Sequence, residues 1–284
     1  MIQMRPSVPE DIPRQRVLWA LAFGDDGAYV DNFYQNYYRP ERVLVLEEDG
    51  VIQSMTAWFD TTFDTADGNR WKAGYLYAVA THPDARGKGY AGMLLNYADF
   101  YLKEEAHCQA VTTVPAQESL HRFFEANGFR ECFTHQCAAA AVSSVKHNNG
   151  IGTLQSLSPA RYGELREKLL EGRMHIAYPL DALEYQAGCC RVSGGGLYLV
   201  QKDGPVILCA EGMADGQLLV KELLGAERDC KAVLEELSEV LPMCSGIVRM
   251  PGEKIYFGML KWLYPGLEKS WDWSKRAYMG LGFD

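Results

Sequence analysis

Apolar and polar positions change period several times along the first half of the chain. Residues 42–47 form an apolar run ended by Glu48-Asp49-Gly50, and a second run resumes over residues 51–59. An Asp-Gly turn between two runs of strand length predicts an antiparallel hairpin. Upstream, residues 11–38 carry aromatic and aliphatic side chains at helical intervals, broken at residues 24–27, which predicts two helices. Downstream the pattern predicts a third strand over 71–81, a loop over 83–89 and a helix over 90–106. A strand over 110–114 and a helix over 118–127 follow, the latter stopped by Gly128 as a glycine just past the helix end.

A shift to small and polar residues over 138–152 marks a linker. Beyond it the order repeats. Residues 197–200, Lys202-Asp203-Gly204 and residues 206–209 copy the strand, Asp-Gly turn and strand of the first half. Residues 218–224 predict a third strand, 228–241 a helix, and 247–250 before Pro251 match 111–114 before Pro115. The reading is an α/β protein built on mixed sheet: a first domain over 1–140, a linker over 141–152 and a diverged duplicate over 153–284, with an unrelated α+β partner domain as the alternative.

Twenty-eight basic against 37 acidic residues leave a net charge of −9, a field that repels nucleic-acid phosphates and attracts cationic small molecules. The first ten residues lack an apolar signal core, and no run approaches the roughly 18 apolar residues of a spanning helix, so the expectation is a soluble cytoplasmic protein without membrane partners. Eight cysteines in a chain of 284 residues, with no C-x-x-C, read as reduced structural thiols, and no metal site is expected.

The candidate chemistry lies at Gly87-Lys88-Gly89-Tyr90-Ala91-Gly92, a G-x-G-x-x-G run that follows a strand and opens a helix. A dinucleotide-binding turn wants the first glycine directly after its strand and a carboxylate at the end of the next one. Here residues 81–86 intervene and the next strand ends at Val114-Pro115. A Walker-type loop fails because Lys88 is followed by glycine, with no Ser or Thr for magnesium. The third reading is an anion cradle of successive backbone N–H groups at a helix N-terminus.

Arg86, Gly89 and Ala91 at their spacing, with the preceding Val79-Ala80-Thr81-His82-Pro83-Asp84-Ala85, resemble the pyrophosphate arm of the GNAT superfamily of N-acetyltransferases; Phe124-Glu125-Ala126-Asn127-Gly128-Phe129 is similar to its closing aromatic-x-x-x-Gly-Phe segment. The resemblance covers roughly residues 1–135. It implies the acyl-CoA N-acyltransferase fold, with acetyl-CoA as cosubstrate and a primary amine, small molecule, polyamine-like or peptide, as acceptor. By the same carry-over, Val79, Ala80 and Thr81 line the pantetheine arm, Arg86, Gly87, Lys88, Gly89, Tyr90 and Ala91 hold the pyrophosphate, and Gln117, Glu118, Ser119, Leu120 and Phe124 form the far wall. The tandem layout resembles the enhanced-intracellular-survival type, which pairs an active GNAT domain with a degenerate one.

The match breaks at the general acid, where the family's tyrosine is replaced by Phe124. Tyr75, Tyr77, Ser119 and His121 are replacement candidates for proton transfer, each with an ordinary packing or solvated role as its rival. Resemblance to the survival type adds the chain-terminal carboxylate of Asp284 as a base, against simple docking of an apolar tail. In the second half, residues 224–229 offer one glycine and two carboxylates where the loop should be, which predicts no second cofactor site. Asp60, Asp64 and Asp67 are read as a loop that either greets a cationic amine or is merely solvated. A non-catalytic acyl-CoA-binding module is the functional alternative, and oligomeric state stays open.

Overall fold

The computed structural model describes residues 1–25, 27–141, 154–201, 204–213, 216–225 and 245–283. In the first half, strands β1 (Ile2–Pro6), β2 (Val43–Glu48), β3 (Val51–Asp64), β4 (Arg70–Thr81), β5 (Ala110–Thr113) and β6 (Arg130–Ala141) alternate with helices α1 (Ile12–Phe23), α2 (Gly27–Asn36), α3 (Tyr90–Glu104) and α4 (Glu118–Ala126). The second half adds β7 (Leu154–Ser156), α5 (Pro159–Leu169), β8 (His175–Ala177), α6 (Leu180–Val192), β9 (Gly196–Gln201), β10 (Pro205–Gly212), β11 (Gln217–Leu224), β12 (Ser245–Pro251), β13 (Ile255–Trp262) and α7 (Pro265–Ser270). Among the described residues no helix is long and apolar enough to cross a membrane.

All strands join one mixed sheet in the order β1-β2-β3-β4-β5-β13-β6-β12-β11-β10-β9-β7, with β8 paired to the far end of β3. The two halves pair alike. In the first, β4 runs parallel to β5 after two antiparallel steps; in the second, β11 runs parallel to β12 after two antiparallel steps. Their last strands are exchanged, since β13 lies between β5 and β6 while β6 lies against β12.

Alternation along β2 shows how the layers form. Val43 and Val45 enter the core that also holds Trp19, Phe33, Tyr162, Tyr185 and Cys189, whereas Leu44 and Leu46 enter the core beneath α3 and α4 with Leu94, Leu102, Phe124 and Phe129. The hairpin is present as expected, with Asp49 and Gly50 both at positive φ. Two expectations are corrected. The small-residue stretch beginning at Ala138 is still strand through Ala141, because Ala138–Ala141 pair with β12. Asp60 and Asp64 lie within β3, whose ladder with β4 continues to Arg70, and only Asp67 is in the turn. The strand β13 and the elements between residues 154 and 192 follow no pattern recognised above. The helix expected over 228–241 lies outside the described residues.

Candidate active site

The ladder between β4 and β5 ends at Leu76–Thr113. Two residues further, Ala78 adopts φ +51°, and the β3 register shifts so that Ala57 faces Tyr77 while Met55 faces Ala80. Residues 78 and 79 together oppose a single position, which is a bulge that bends β4 away from β5. A cavity of about 660 Å³ fills the gap. Leu76, Tyr77, Ala78, Val79 and Thr81 form one wall; Thr113, Val114, Pro115, Ala116 and the α4 residues Leu120, Phe123 and Phe124 form the other.

Arg86 and Ala91 stand at one end, where β4 hands over to α3. His82 N–H donates to the Gln53 carbonyl at 2.8 Å, tying the loop to β3, and the His82 ring accepts from Asp84 N–H at 3.3 Å. Ala85 is buried beneath the loop. Gly87 and Gly89 both have φ +80°, in the left-handed region, and Gly89 caps α3. That conformation costs an L-residue about 1–2 kcal/mol, which explains glycine at both positions. The side chains of Lys88 and Tyr90 turn instead to Glu48 at the end of β2: Lys88 Nζ lies 3.2 Å from Glu48 Oε2, and the Tyr90 hydroxyl bonds the same carboxylate. They brace the loop, and of residues 86–91 only Arg86 and Ala91 line the cavity.

The opposite end widens into a chamber lined by Trp19, Phe23, Asp25, Tyr29, Tyr75, Glu211 and Phe283. Trp19 Nε1 donates to Asp25 at 2.7 Å. Tyr77 and Tyr185 hydroxyls lie 3.1 Å apart. Burial first, then the nearby Cys189 thiol, pushes the Tyr77 phenol well above its usual range; burial, then Tyr77, does the same for Tyr29. Both are neutral donors near pH 7. Glu211, contributed by β10 of the second half, accepts from Gln186 Nε2 at 2.5 Å and lies 3.4 Å from the buried Lys221 ammonium.

Sequence candidates divide cleanly. Tyr75, Tyr77, Val79, Thr81, Arg86, Ala91, Leu120 and Phe124 all meet at this cavity. Ala80 lies under it with its carbonyl held by Ser54 Oγ at 2.8 Å. Gln117 sits at the N-cap position of α4 without a side-chain cap bond, and Gln117, Glu118 and Ser119 are exposed and do not line the cavity. His121 turns to Glu131, Nδ1 to Oε1 2.5 Å, and does not line the cavity. Asp284 lies outside the described residues. Asp60 and Asp64 are occupied by Lys72 and Arg70 at 3.6 and 3.1 Å and do not line this cavity, nor does Asp67. The ligand atoms of Asp64, Glu167 and His175 lie within 4.8 Å of one another, but Arg70, Arg166 and a 3.0 Å Glu167–His175 contact already engage them. Glu211 was missed, because β10 is buried on both faces and alternation carries no signal there, and Phe283 was read only as part of a docking apolar tail.

Comparison with known proteins follows this geometry. Residues 3–129 match the family model of the acetyltransferase (GNAT) domain. The chain superposes on a GCN5-related N-acetyltransferase from Anabaena variabilis with TM-score 0.70 at 14% identity, covering 93% of this chain and 73% of that one. The chain has the GNAT fold. A probable N-acyltransferase from Enterococcus faecalis gives TM-score 0.66 at 14% identity, covering 93% and 73% of the two chains, and Eis1 from Mycobacterium abscessus gives 0.65 at 12%, covering 93% and 74%. No curated protein matches the chain by sequence. The family match spans residues 3–129, and the structural likenesses show the fold.

Proposed function

We propose that the protein transfers an acetyl group from acetyl-CoA to a primary amine by direct attack in a ternary complex. The observation that carries this is one continuous cavity, leading from Arg86 and Ala91, which flank the two left-handed glycines at the α3 N-terminus, along the bulged edge of β4, into an aromatic chamber with Asp25 and Glu211 on its wall. Pyrophosphate would sit on the backbone of Arg86 to Ala91, the pantetheine arm along Val79, Ala80 and Thr81, and the thioester carbonyl against a main-chain N–H near Val79 or Ala80. The chamber would take the amine, with Asp25 favouring a cation at its exposed edge. The two halves read as tandem GNAT-like domains, the second without a cofactor loop.

Phe124 stands at the cavity wall where the resemblance expects a phenol, packed on Phe129 at 5.3 Å. We assign the hydrogen bond to the departing thiolate to Tyr77, a neutral donor on the same cavity. Phe124 also favours a second reading, an acyl-CoA-binding module without turnover. Thermal unfolding with acetyl-CoA at about 100 times its dissociation constant should show roughly 2.7 kcal/mol of stabilisation. Gly89→Asp, which forces an L-residue and a negative charge into the cradle, should abolish that shift. Acetyl transfer to a panel of primary amines separates enzyme from binder, and no shift in the parent protein would reject both.

A further inference from the structure

The segment approaching the C-terminus runs inside the molecule, with Ala277, Tyr278, Met279, Leu281 and Phe283 all buried. Backbone bonds first tie it to β6 and β8: Thr134 N–H donates to the Ala277 carbonyl at 2.9 Å, and Ile176 N–H to the Tyr278 carbonyl at 3.0 Å. It then crosses an ion pair of the second half. Arg166 of α5 and Glu222 of β11 meet at 2.9 Å with 1% and 0% of their side chains exposed. Tyr162 OH donates to the same carboxylate at 2.6 Å. Arg166 also donates to the carbonyls of Ile176 at 2.7 Å and Met279 at 3.3 Å, and Tyr178 OH lies 3.1 Å from the Met279 carbonyl.

The crossing is made at Gly280. Its φ is +70°, and a Cβ there would stand 2.0 Å from Glu222 Oε1 and 2.8 Å from Arg166 Nη2. Three residues on, Phe283 N–H donates to Tyr75 OH at 3.1 Å, and the Phe283 ring stacks on Phe59 at 4.1 Å and Tyr75 at 5.6 Å, on the cavity wall. An apolar pair of similar volume would fill the space as stably as a buried ion pair does. What guanidinium adds is a fixed fork of donors that grips several acceptors at once.

We propose that Arg166 and Glu222 are positioning residues for the acyl-transfer site: they clamp the chain at residues 279–280 and thereby set Phe283 against Tyr75 as the wall of the acceptor chamber. The proposal rests on the acetyltransferase reading for its catalytic consequence, though not for the clamp itself. It gives the second half a role in the chemistry of the first.

The test uses the full chain in three forms besides the parent. Arg166→Met with Glu222→Leu keeps the volume and removes the donors; Gly280→Ala drives the crossing off the ion pair; Phe283→Ala leaves the clamp intact and removes the wall. Amide hydrogen exchange over residues 277–283 should rise at least tenfold in the first two, with the acetyl-CoA thermal shift retained. In acetyl transfer to spermidine, all three should raise the KM for the amine about tenfold while the KM for acetyl-CoA stays within twofold. Unchanged exchange in the double variant overturns the clamp. Raised exchange with unchanged amine kinetics overturns the positioning role, and so does a double variant that is less stable but otherwise normal. A parent protein with no acetyl-CoA shift rejects the acetyltransferase reading separately, while the exchange data still decide the clamp.

Discussion

At the scale of single residues the side chains around the cavity divide into those that line it and those that hold the lining groups still. Tyr77 is of the first kind. Its hydroxyl sits in a buried row with Tyr185 and Tyr29, and burial keeps it protonated well past neutral pH, so it can donate to a thiolate without itself ionising. A coenzyme A thiol, of pKa about 8.5 if it behaves as an ordinary thiol, leaves without obligatory protonation, and a general acid contributes ~10²–10⁴-fold at most. Tyr77→Phe is therefore expected to lower kcat about 10- to 100-fold with the KM for acetyl-CoA unchanged, measured by thiol release. Equal kcat would remove Tyr77 from the mechanism. Lys88 and Tyr90 are of the second kind, since their shared partner Glu48 draws them off the cradle. The sequence showed where these residues fall along the chain and not where they point: spacing places Lys88 in the loop, but only the approach of β2 reveals that its charge is already matched.

At the scale of elements the legible features are those whose signal is local. Gly87 and Gly89 could be read as a cradle because left-handed backbone needs glycine, and Asp49-Gly50 as a turn for the same reason. The bulge in β4 was silent, because Ala78 carries the positive φ with a residue type that gives no hint of it. That choice has a measurable cost. Alanine at φ +51° bears about 1–2 kcal/mol of strain, and a β-branched side chain bears more. Ala78→Val should lower stability by about 2 kcal/mol or more in urea unfolding and, by flattening the bulge, reduce the acetyl-CoA thermal shift. A variant of full stability and full acetyl-CoA protection would show that the cleft does not depend on this conformation. In the second half the strands were legible and the places of their polar residues were not: β10 and β11 are buried along most of their length, so Glu211, Lys221 and Glu222 sit where alternation predicts nothing.

At the scale of the whole molecule the exchange of last strands matters most. Repetition of the hairpin made two halves visible in the sequence, and a boundary near residue 141 follows from composition, yet pairing does not respect it. Met259 to Trp262 of β13 pair with Thr113 to Ala110 of β5, and the other edge of β13 pairs with β6. Removing everything after residue 141 would leave β5 and β6 without their shared neighbour and β6 without β12 as well. It would also expose the cavity side that Phe283 and Glu211 close. Unpaired central strands with apolar faces template aggregation. Residues 1–141 alone, although they contain the entire GNAT family match, are thus expected to be insoluble or to lack cooperative thermal unfolding, whereas co-expression with residues 142–284 should recover a soluble complex that acetyl-CoA stabilises. A lone first half that unfolds cooperatively and is protected by acetyl-CoA would mean that the exchanged strand is ornamental to the cofactor site, leaving the acceptor chamber as the only part of the reaction the second half serves.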